Sequence, residues 1–414
     1  LLPAPVGRLL ERLRRAIDGT VSTRLALTAP ASAPPATPAQ PRPGFTDAEQ
    51  AQRVEGFLRT IGLIRGFAPL VVIMGHGSFS RNNPHLAAYD CGACSGRHGG
   101  PNARVFATMA NRPEVRALLR QRGLDIPDDT WFLGAQHNTC DEGLLWFDTE
   151  AMPAAFREPL ATLGKALEEA RTLSAHERCR RLASAPRFPT LAEALSHMEG
   201  RASDPSQARP ELGHATNAVA FIGRRAATRG LFLDRRIFLI SYDPSTDPRG
   251  AIVETILVNA GPVGAGISLE YYFSTVNNDG YGCGTKIVHN VVGGFGVMEG
   301  TSSDLRTGLP RQMIEIHEAM RLLVVVEHRP EILSGICERQ PIVMELVAKG
   351  WIQLAAMDPD SAELHVYCTG TGWQPWQPDA EPVPQVDWSP DWYRGHTGPL
   401  PPALVTGREG DANG

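Results

Sequence analysis

Two side chains with metal-binding chemistry stand in one glycine-flanked stretch: His76, within Gly75-His76-Gly77-Ser78, and Cys91, within Asp90-Cys91-Gly92-Ala93-Cys94. An imidazole nitrogen and a thiolate suit a zinc ion, whose catalytic sites use about three protein ligands and keep a position for water. The glycines on either side let the backbone approach an ion closely. Spacing alone favours a plainer reading, a hydrogen-bonded loop histidine and a small buried cysteine, because two ligands do not make a zinc site.

Cys91-x-x-Cys94 could also be a redox pair or half of a zinc ribbon, but a ribbon needs a second Cys-x-x-Cys and the chain has none. A thioredoxin-like role lacks the surrounding sequence context. His137-x-x-Cys140 is a further ligand pair at the His-x-x-Cys spacing of ordinary β-class carbonic anhydrases, and ranks below His76 and Cys91 because that spacing often arises by chance. Gly264-Ala265-Gly266 and Gly293-Gly294-Phe295-Gly296 lack both the dinucleotide-binding spacing and a phosphate-loop Gly-Lys-Ser/Thr, so they read as turns. Neither a Gly-x-Ser-x-Gly elbow nor a His-Glu-x-x-His helix occurs.

The elements that position these residues alternate between strand and helix. Pro69-Leu70-Val71-Val72-Ile73-Met74 is a continuous apolar run suited to a strand buried on both faces of a parallel sheet, and His76 lies at its carboxyl end, where such sheets place their functional loops. Thr46 followed by Glu49 is a capping-box signature opening a helix that continues to about Leu63. Helices are expected over 101–111 and 113–122, and a short strand over 130–134 with His137 just past its end. Residues 151–201 have helical spacing. Strands are expected over 236–242, 252–258, 322–327 and 351–355, with a Gly-rich connection over 261–300 and a helix over 341–349.

By composition the chain divides into an amino-terminal basic amphipathic helix (1–27), an Ala/Pro-rich linker (28–45), an α/β portion with His76 and Cys91 (46–150), a helical insertion (151–230), a second α/β portion (231–370) and a Trp/Pro-rich, loop-like tail (371–414). The expected fold class is α/β, a largely parallel sheet core with a helical insertion and extra α+β elements.

The chain has 414 residues, 42% of them hydrophobic and 21% charged, which marks a globular protein of about two or three domains. Forty basic against forty-five acidic residues give a net charge of −5 and argue against nucleic acid as a partner. Runs such as Leu322 to Val326 fall far short of the ~20 apolar residues that span a bilayer, so the chain is expected not to cross a membrane by itself. With no secretory leader legible, the default compartment is the cytoplasm. Seven cysteines do not resemble a disulfide framework.

Together these motifs resemble the DabA family of inorganic-carbon transporter subunits. The resemblance is carried by Gly75-His76-Gly77-Ser78, Asn82-Asn83-Pro84, Asp90-Cys91-Gly92-Ala93-Cys94 and Pro101-Asn102-Ala103-Arg104, then by Gly282-Cys283-Gly284-Thr285-Lys286 with His289-Asn290-Val291, and by Gly296-Val297-Met298 through Asp304-Leu305-Arg306-Thr307-Gly308-Leu309-Pro310. It implies a β-carbonic-anhydrase-like zinc core, peripheral to the inner membrane on its cytoplasmic side. It also implies a DabB-type membrane partner that moves protons or cations, coupled to hydration of CO2 to bicarbonate. The zinc ligands it implies are a Cys and an Asp from an upstream Cys-x-Asp motif, then His76 and Cys91. Cys-x-Asp occurs nowhere in this chain, which suggests a carboxy-terminal half of the usual subunit, either a fragment or one part of a split polypeptide whose amino-terminal half is a separate partner. Whether this chain is an enzyme by itself is therefore left open.

Asp90, His137 and Arg104 are secondary site candidates by proximity to the motif. Two rival functions stand beside the family reading. One is a free-standing zinc hydrolase or carbonic anhydrase using His76, Cys91 and His137; the other is a non-catalytic docking module on a membrane protein.

Overall fold

The Thr46/Glu49 signature does open a helix. In a computed structural model that describes residues 23–81, 97–204, 207–211, 215–284, 291–292, 296–298, 305–306, 308–377 and 381–407, helix α1 (Asp47–Thr60) begins with Thr46 Oγ1 accepting from Glu49 N at 3.3 Å. Glu49 Oε2 accepts from Thr46 N at 2.8 Å in return. Two of the orphan amides of the first turn are thus satisfied reciprocally. Thr46→Ala is expected to lower stability by about 1 kcal/mol, read as a shifted urea midpoint at unchanged slope.

The chain forms two compact units, one from Leu1–His176 with Pro189–Pro210 and the other from Glu177–Phe188 with Glu211–Gly414. In the first, α1 is followed by strand β1 (Leu70–Gly77), helices α2 (Gly100–Ala110) and α3 (Pro113–Gln121), and strands β2 (Trp131–Asn138) and β3 (Gly143–Trp146). Prolines sit in the first turn of both α2 and α3, where the missing amide costs nothing. The sheet order is β1–β2–β3, with β1 and β2 parallel and β3 antiparallel. Ala51, Val54 and Leu58 of α1, Ala107 and Ala110 of α2, Val115 and Leu119 of α3 and Phe132 of β2 form one buried cluster on one face of this sheet. Helices α4 (Arg157–Cys179) and α5 (Leu191–Ala202) follow, as the helical spacing of 151–201 predicts.

The second unit is built on a six-stranded sheet. Strands β4 (Val219–Gly223), β6 (Ile237–Ser241), β10 (Leu322–Glu327) and β11 (Ile352–Met357) are parallel, and β12 (Leu364–Cys368) and β13 (Gly372–Trp376) add antiparallel at one edge, in the order β13–β12–β11–β10–β4–β6. Strands β5 (Leu231–Phe232), β14 (Gln385–Val386) and β15 (Ala403–Val405) make a small mixed sheet, and β7 (Val291–Val292), β8 (Gly296–Met298) and β9 (Leu305–Arg306) an antiparallel one. The architecture is α/β, and among the described residues three of the four sheets are mixed, the six-stranded one having four parallel strands, rather than forming one parallel sheet.

Three local expectations are corrected. Residues 252–258, read as a strand, lie in α6 (Ala251–Val276), a 26-residue helix. The apolar run misled because short runs of this kind do not distinguish a buried strand from a buried helix. Val253, Ile256, Leu257 and Ala265 pack at helical spacing into the core with Val324 of β10 and with Leu333 and Val343 of α7 (Pro330–Arg339) and α8 (Pro341–Ala348). This helix is also long and apolar enough to cross a membrane by length and composition, although the separate runs that form it are short. Its outward positions include Thr255, Asn259 and Glu270, so the stripe facing away from the core is not continuously apolar.

The second correction is the tail after Thr371, which is not simply loop. Trp373 packs edge-on against Tyr367 at 5.4 Å across the β12–β13 pair, and Pro375 is accommodated because β13 is the edge strand. The third is His137, which lies inside β2 and not beyond it.

Candidate functional site

His76 is the penultimate residue of β1, and the parallel register sets it directly beside His137 of β2. Both imidazoles therefore occupy the carboxyl end of neighbouring parallel strands, although the residues are far apart in sequence. The backbone beneath His76 is fixed by α2: Gly99 N donates to His76 O at 2.7 Å. Such an approach requires glycine at 75, because a Cβ there would lie 2.4 Å from Gly99 C and 2.5 Å from Gly100 N.

The loop after β2 closes over this end. Thr139 N and Oγ1 both bond to Gly77 O, at 2.8 and 3.1 Å, and Thr139 Oγ1 lies 3.4 Å from His76 Nε2. Behind it, Ser78 and Cys140 are fully buried with their Oγ and Sγ 3.3 Å apart, and Arg209 Nη1 donates to Ser78 Oγ at 2.8 Å.

His137 is held by a carboxylate. Its Nε2 is 2.6 Å from Glu142 Oε2, and Ser174 Oγ donates to Glu142 Oε1. The Glu142 side chain is only 5% exposed and that of His137 33%. Glu142 has φ 59°, a left-handed conformation that costs a residue with a Cβ roughly 1 kcal/mol or more relative to glycine. Its burial and its two partners hold it there. Glu142→Ala loses both bonds and keeps the backbone cost, whereas Glu142→Gly loses the bonds and relieves the strain. Thermal denaturation is expected to place the Ala variant below the Gly variant by about 1 kcal/mol.

Arg104 is committed elsewhere. Its Nε and Nη2 grip Asp148 at 2.7 and 2.5 Å, its Nη1 reaches Thr23 Oγ1 at 2.5 Å, and the Asp148 hydrogen bonds hold its pKa above the ordinary arginine value. This pairing is structural, tying α2 to the chain after β3. Asp90, Cys91 and Cys94 lie outside the described residues, as do Asn82-Asn83-Pro84, Thr285-Lys286 and His289-Asn290.

The donor chemistry fits zinc only in part. His76 offers an imidazole at a strand end, but among the described residues no three His, Cys, Asp or Glu side chains form a group that could hold a metal. The alternative pair does not converge either, since Cys140 faces Ser78 while His137 faces Glu142.

Sequence reasoning passed over Glu142, whose signal was an Asp-Glu-Gly turn between two strands, and Ser78 with Arg209, joined only by folding. It also passed over a strand-end pair in the second unit. Glu327, buried at the end of β10, accepts from Arg224 N and Nε, each at 2.6 Å.

These features define an α/β protein with a histidine-bearing site at the carboxyl end of a parallel strand pair. The family profile described as "Probable inorganic carbon transporter subunit DabA" matches residues 1–352, and the chain belongs to that family. It is 64% identical over 385 residues to the protein of that name in Methylococcus capsulatus, covering 93% of this chain and 36% of the relative. The Dechloromonas aromatica protein of the same name is 61% identical over 407 residues, 98% of this chain and 40% of the relative. The Nitrosococcus oceani protein is 52% identical over 419 residues, 97% of this chain and 37% of the relative. The chain thus spans well under half the length of these relatives. No solved structure matches it.

Proposed function

We propose that this chain is the part of an inorganic-carbon transporter subunit that supplies His76 and Cys91 as two ligands of a zinc site for hydration of CO2 to bicarbonate, the rest of the site coming from the remainder of the family polypeptide. The core is read as β-carbonic-anhydrase-like. Its partner is a DabB-type membrane subunit that translocates protons or cations, and the assembly sits at the cytoplasmic side of the inner membrane.

The observation that carries this reading is the placement of His76. The family motif puts a ligand-competent imidazole at the carboxyl end of a parallel strand, beside a second imidazole already oriented by a buried carboxylate. Zinc, when bound, would acidify a water molecule for attack on CO2. The chain's own residues do the positioning: Thr139 borders the His76 ring, Glu142 fixes the His137 ring, and Gly75 lets α2 brace the strand end.

The test replaces the matched region of the Methylococcus capsulatus relative with this sequence and measures uptake of 14C-labelled inorganic carbon, with and without the membrane subunit. Uptake that needs both, and that is lost in Cys91→Ala, is the expected result. Uptake indifferent to Cys91, or no uptake from a chimera that folds and binds the membrane subunit, would overturn the reading.

A further inference from the structure

We infer that the second unit carries a degenerate copy of the His76 motif: β10–α7–α8–β11–β12 repeats β1–α2–α3–β2–β3, and at the position of His76 it holds Glu327, sealed by Arg224, so that the copy binds no metal and serves as scaffold. The repeat stands on strand register and turn geometry; only the naming of the copied position as a ligand position rests on the zinc reading.

The elements correspond in order and direction. In the first unit β1 leads through α2 and α3 to the parallel strand β2, and β3 returns antiparallel. In the second, β10 leads through α7 and α8 to the parallel strand β11, and β12 returns antiparallel. All four helices carry a proline in the first turn: Pro101, Pro113, Pro330 and Pro341. A tryptophan stands at the entry to each second strand, Trp131 at β2 and Trp351 at β11.

Crossovers of this kind recur in many α/β folds, and it is the hairpin turn that makes these two a pair. Asn138 Oδ1 accepts from Cys140 N at 3.3 Å, and Asp358 Oδ1 accepts from Asp360 N at 2.9 Å, the same side-chain turn in both. Later in each turn, at the same position, a residue with a Cβ adopts the left-handed conformation, Glu142 at φ 59° and Ala362 at φ 60°. The returning strand then pairs in the same register, Trp146 opposite Ala135 and Val366 opposite Ala355. Packing of helices on a sheet dictates neither the length of this turn nor the place of its left-handed residue, so agreement in both marks one motif used twice.

Register gives the counterpart of each site residue. His137 follows Ala135 by two positions and pairs with His76; Met357 follows Ala355 by two positions and pairs with Glu327. Ala362 stands where Glu142 does. The link from first strand to first helix, residues 78–99 with Cys91 in the first unit, is reduced in the second to His328 and Arg329. His328 is no substitute ligand, because its Nε2 lies 3.1 Å from Asp247 O and its Nδ1 accepts from Arg329 N at 2.8 Å. The Glu327 side chain is 2% exposed, and both of its oxygens accept from Arg224. Glycine at 223 lets the pair close, since a Cβ there would lie 2.8 Å from Glu327 Oε2. A buried carboxylate needs a charge partner, and here the chain supplies one itself. The copy thus keeps what shapes the fold and has replaced every candidate group of the original site.

The repeat is tested in the 414-residue chain by replacing Pro359–Glu363 with the residues of Thr139–Gly143. The melting temperature should stay within about 2 °C of the parent's, and the amides of 364–368 should keep their hydrogen-exchange protection. The same replacement with one additional glycine shifts the register and should strip that protection. Loss of protection in the length-matched exchange, or equal protection in the lengthened one, would overturn the repeat. The sealed position is tested in the Methylococcus capsulatus chimera. Glu327→Gln removes the charge partner of Arg224 and should lower the melting temperature by about 4 °C or more while the zinc content of the folded protein stays unchanged. Zinc lost from a folded Glu327→Gln protein, or an unchanged melting temperature, would overturn the scaffold assignment. Failure of the zinc reading shows elsewhere, as a parent chimera without zinc or as zinc retained in His76→Ala, and the turn exchange and the melting temperature still decide the copy.

Discussion

His76→Ala, introduced into the full-length family polypeptide, is expected to abolish zinc binding and inorganic-carbon uptake together while leaving the fold intact. The fold should survive because the bond from Gly99 N to the His76 carbonyl and the strand register with His137 are backbone properties that the substitution leaves in place. The side chain is only partly buried. A lost ligand should cost more than a lost neighbour of a ligand, and removing the latter typically lowers metal affinity about 10–100-fold. Thr139→Ala, which takes away the hydroxyl 3.4 Å from His76 Nε2, is therefore the graded control and should show that smaller loss. Elemental analysis reads the metal and 14C uptake reads the function. Stoichiometric zinc retained in the His76→Ala protein would remove His76 from the ligand set whatever the uptake does.

Gly75→Ala should act through packing instead. A Cβ at 75 would meet Gly99 C at 2.4 Å and Gly99 O and Gly100 N at 2.5 Å, all backbone atoms of the turn that opens α2. Flexible side-chain ends can swing away from such a contact; a helix start cannot. The helix must move as a body, at the expense of the Gly99–His76 hydrogen bond and the α2 contacts with β1 and β2. Overpacking of this kind costs about 1–3 kcal/mol. Because the displaced backbone carries His76, binding at the proposed zinc site should fall along with stability, whereas His76→Ala should abolish zinc binding and leave stability unchanged. Denaturation of the metal-free protein separates the two effects. An unchanged melting temperature for Gly75→Ala would mean that α2 does not pack on β1 as described.

Much of the first unit was legible before any fold was known. Thr46 and Glu49 announce α1 because both capping partners lie within one turn of each other. The Leu70–Met74 run announces β1, and Pro101 and Pro113 mark the starts of α2 and α3. The second unit was harder to read. Strand β4, an interior strand of its sheet, has no counterpart in the sequence reading. Its run Val219-Ala220-Phe221-Ile222 is too short and too flanked by small residues to stand out, and pairing on both sides is what makes it a strand. Helix α6 was divided into a strand and a Gly-rich connection because Gly261, Pro262, Gly264 and Gly266 break the helical signal. The tertiary core overrides that signal through Val253, Ile256, Leu257 and Ala265.

For the site the division falls in the same place. The sequence by itself determined the family, through motifs such as Gly75-His76-Gly77-Ser78, and it determined that His76 ends an apolar strand. Only the tertiary structure decided that His137 stands beside it, that Glu142 holds His137, and that Ser78, Cys140 and Arg209 meet behind it. The physical reason is range. Caps, turns and apolar periodicity arise between residues a few positions apart and are written in the local sequence, whereas strand register and the contacts of buried polar groups join residues tens of positions apart and exist only once the chain has packed.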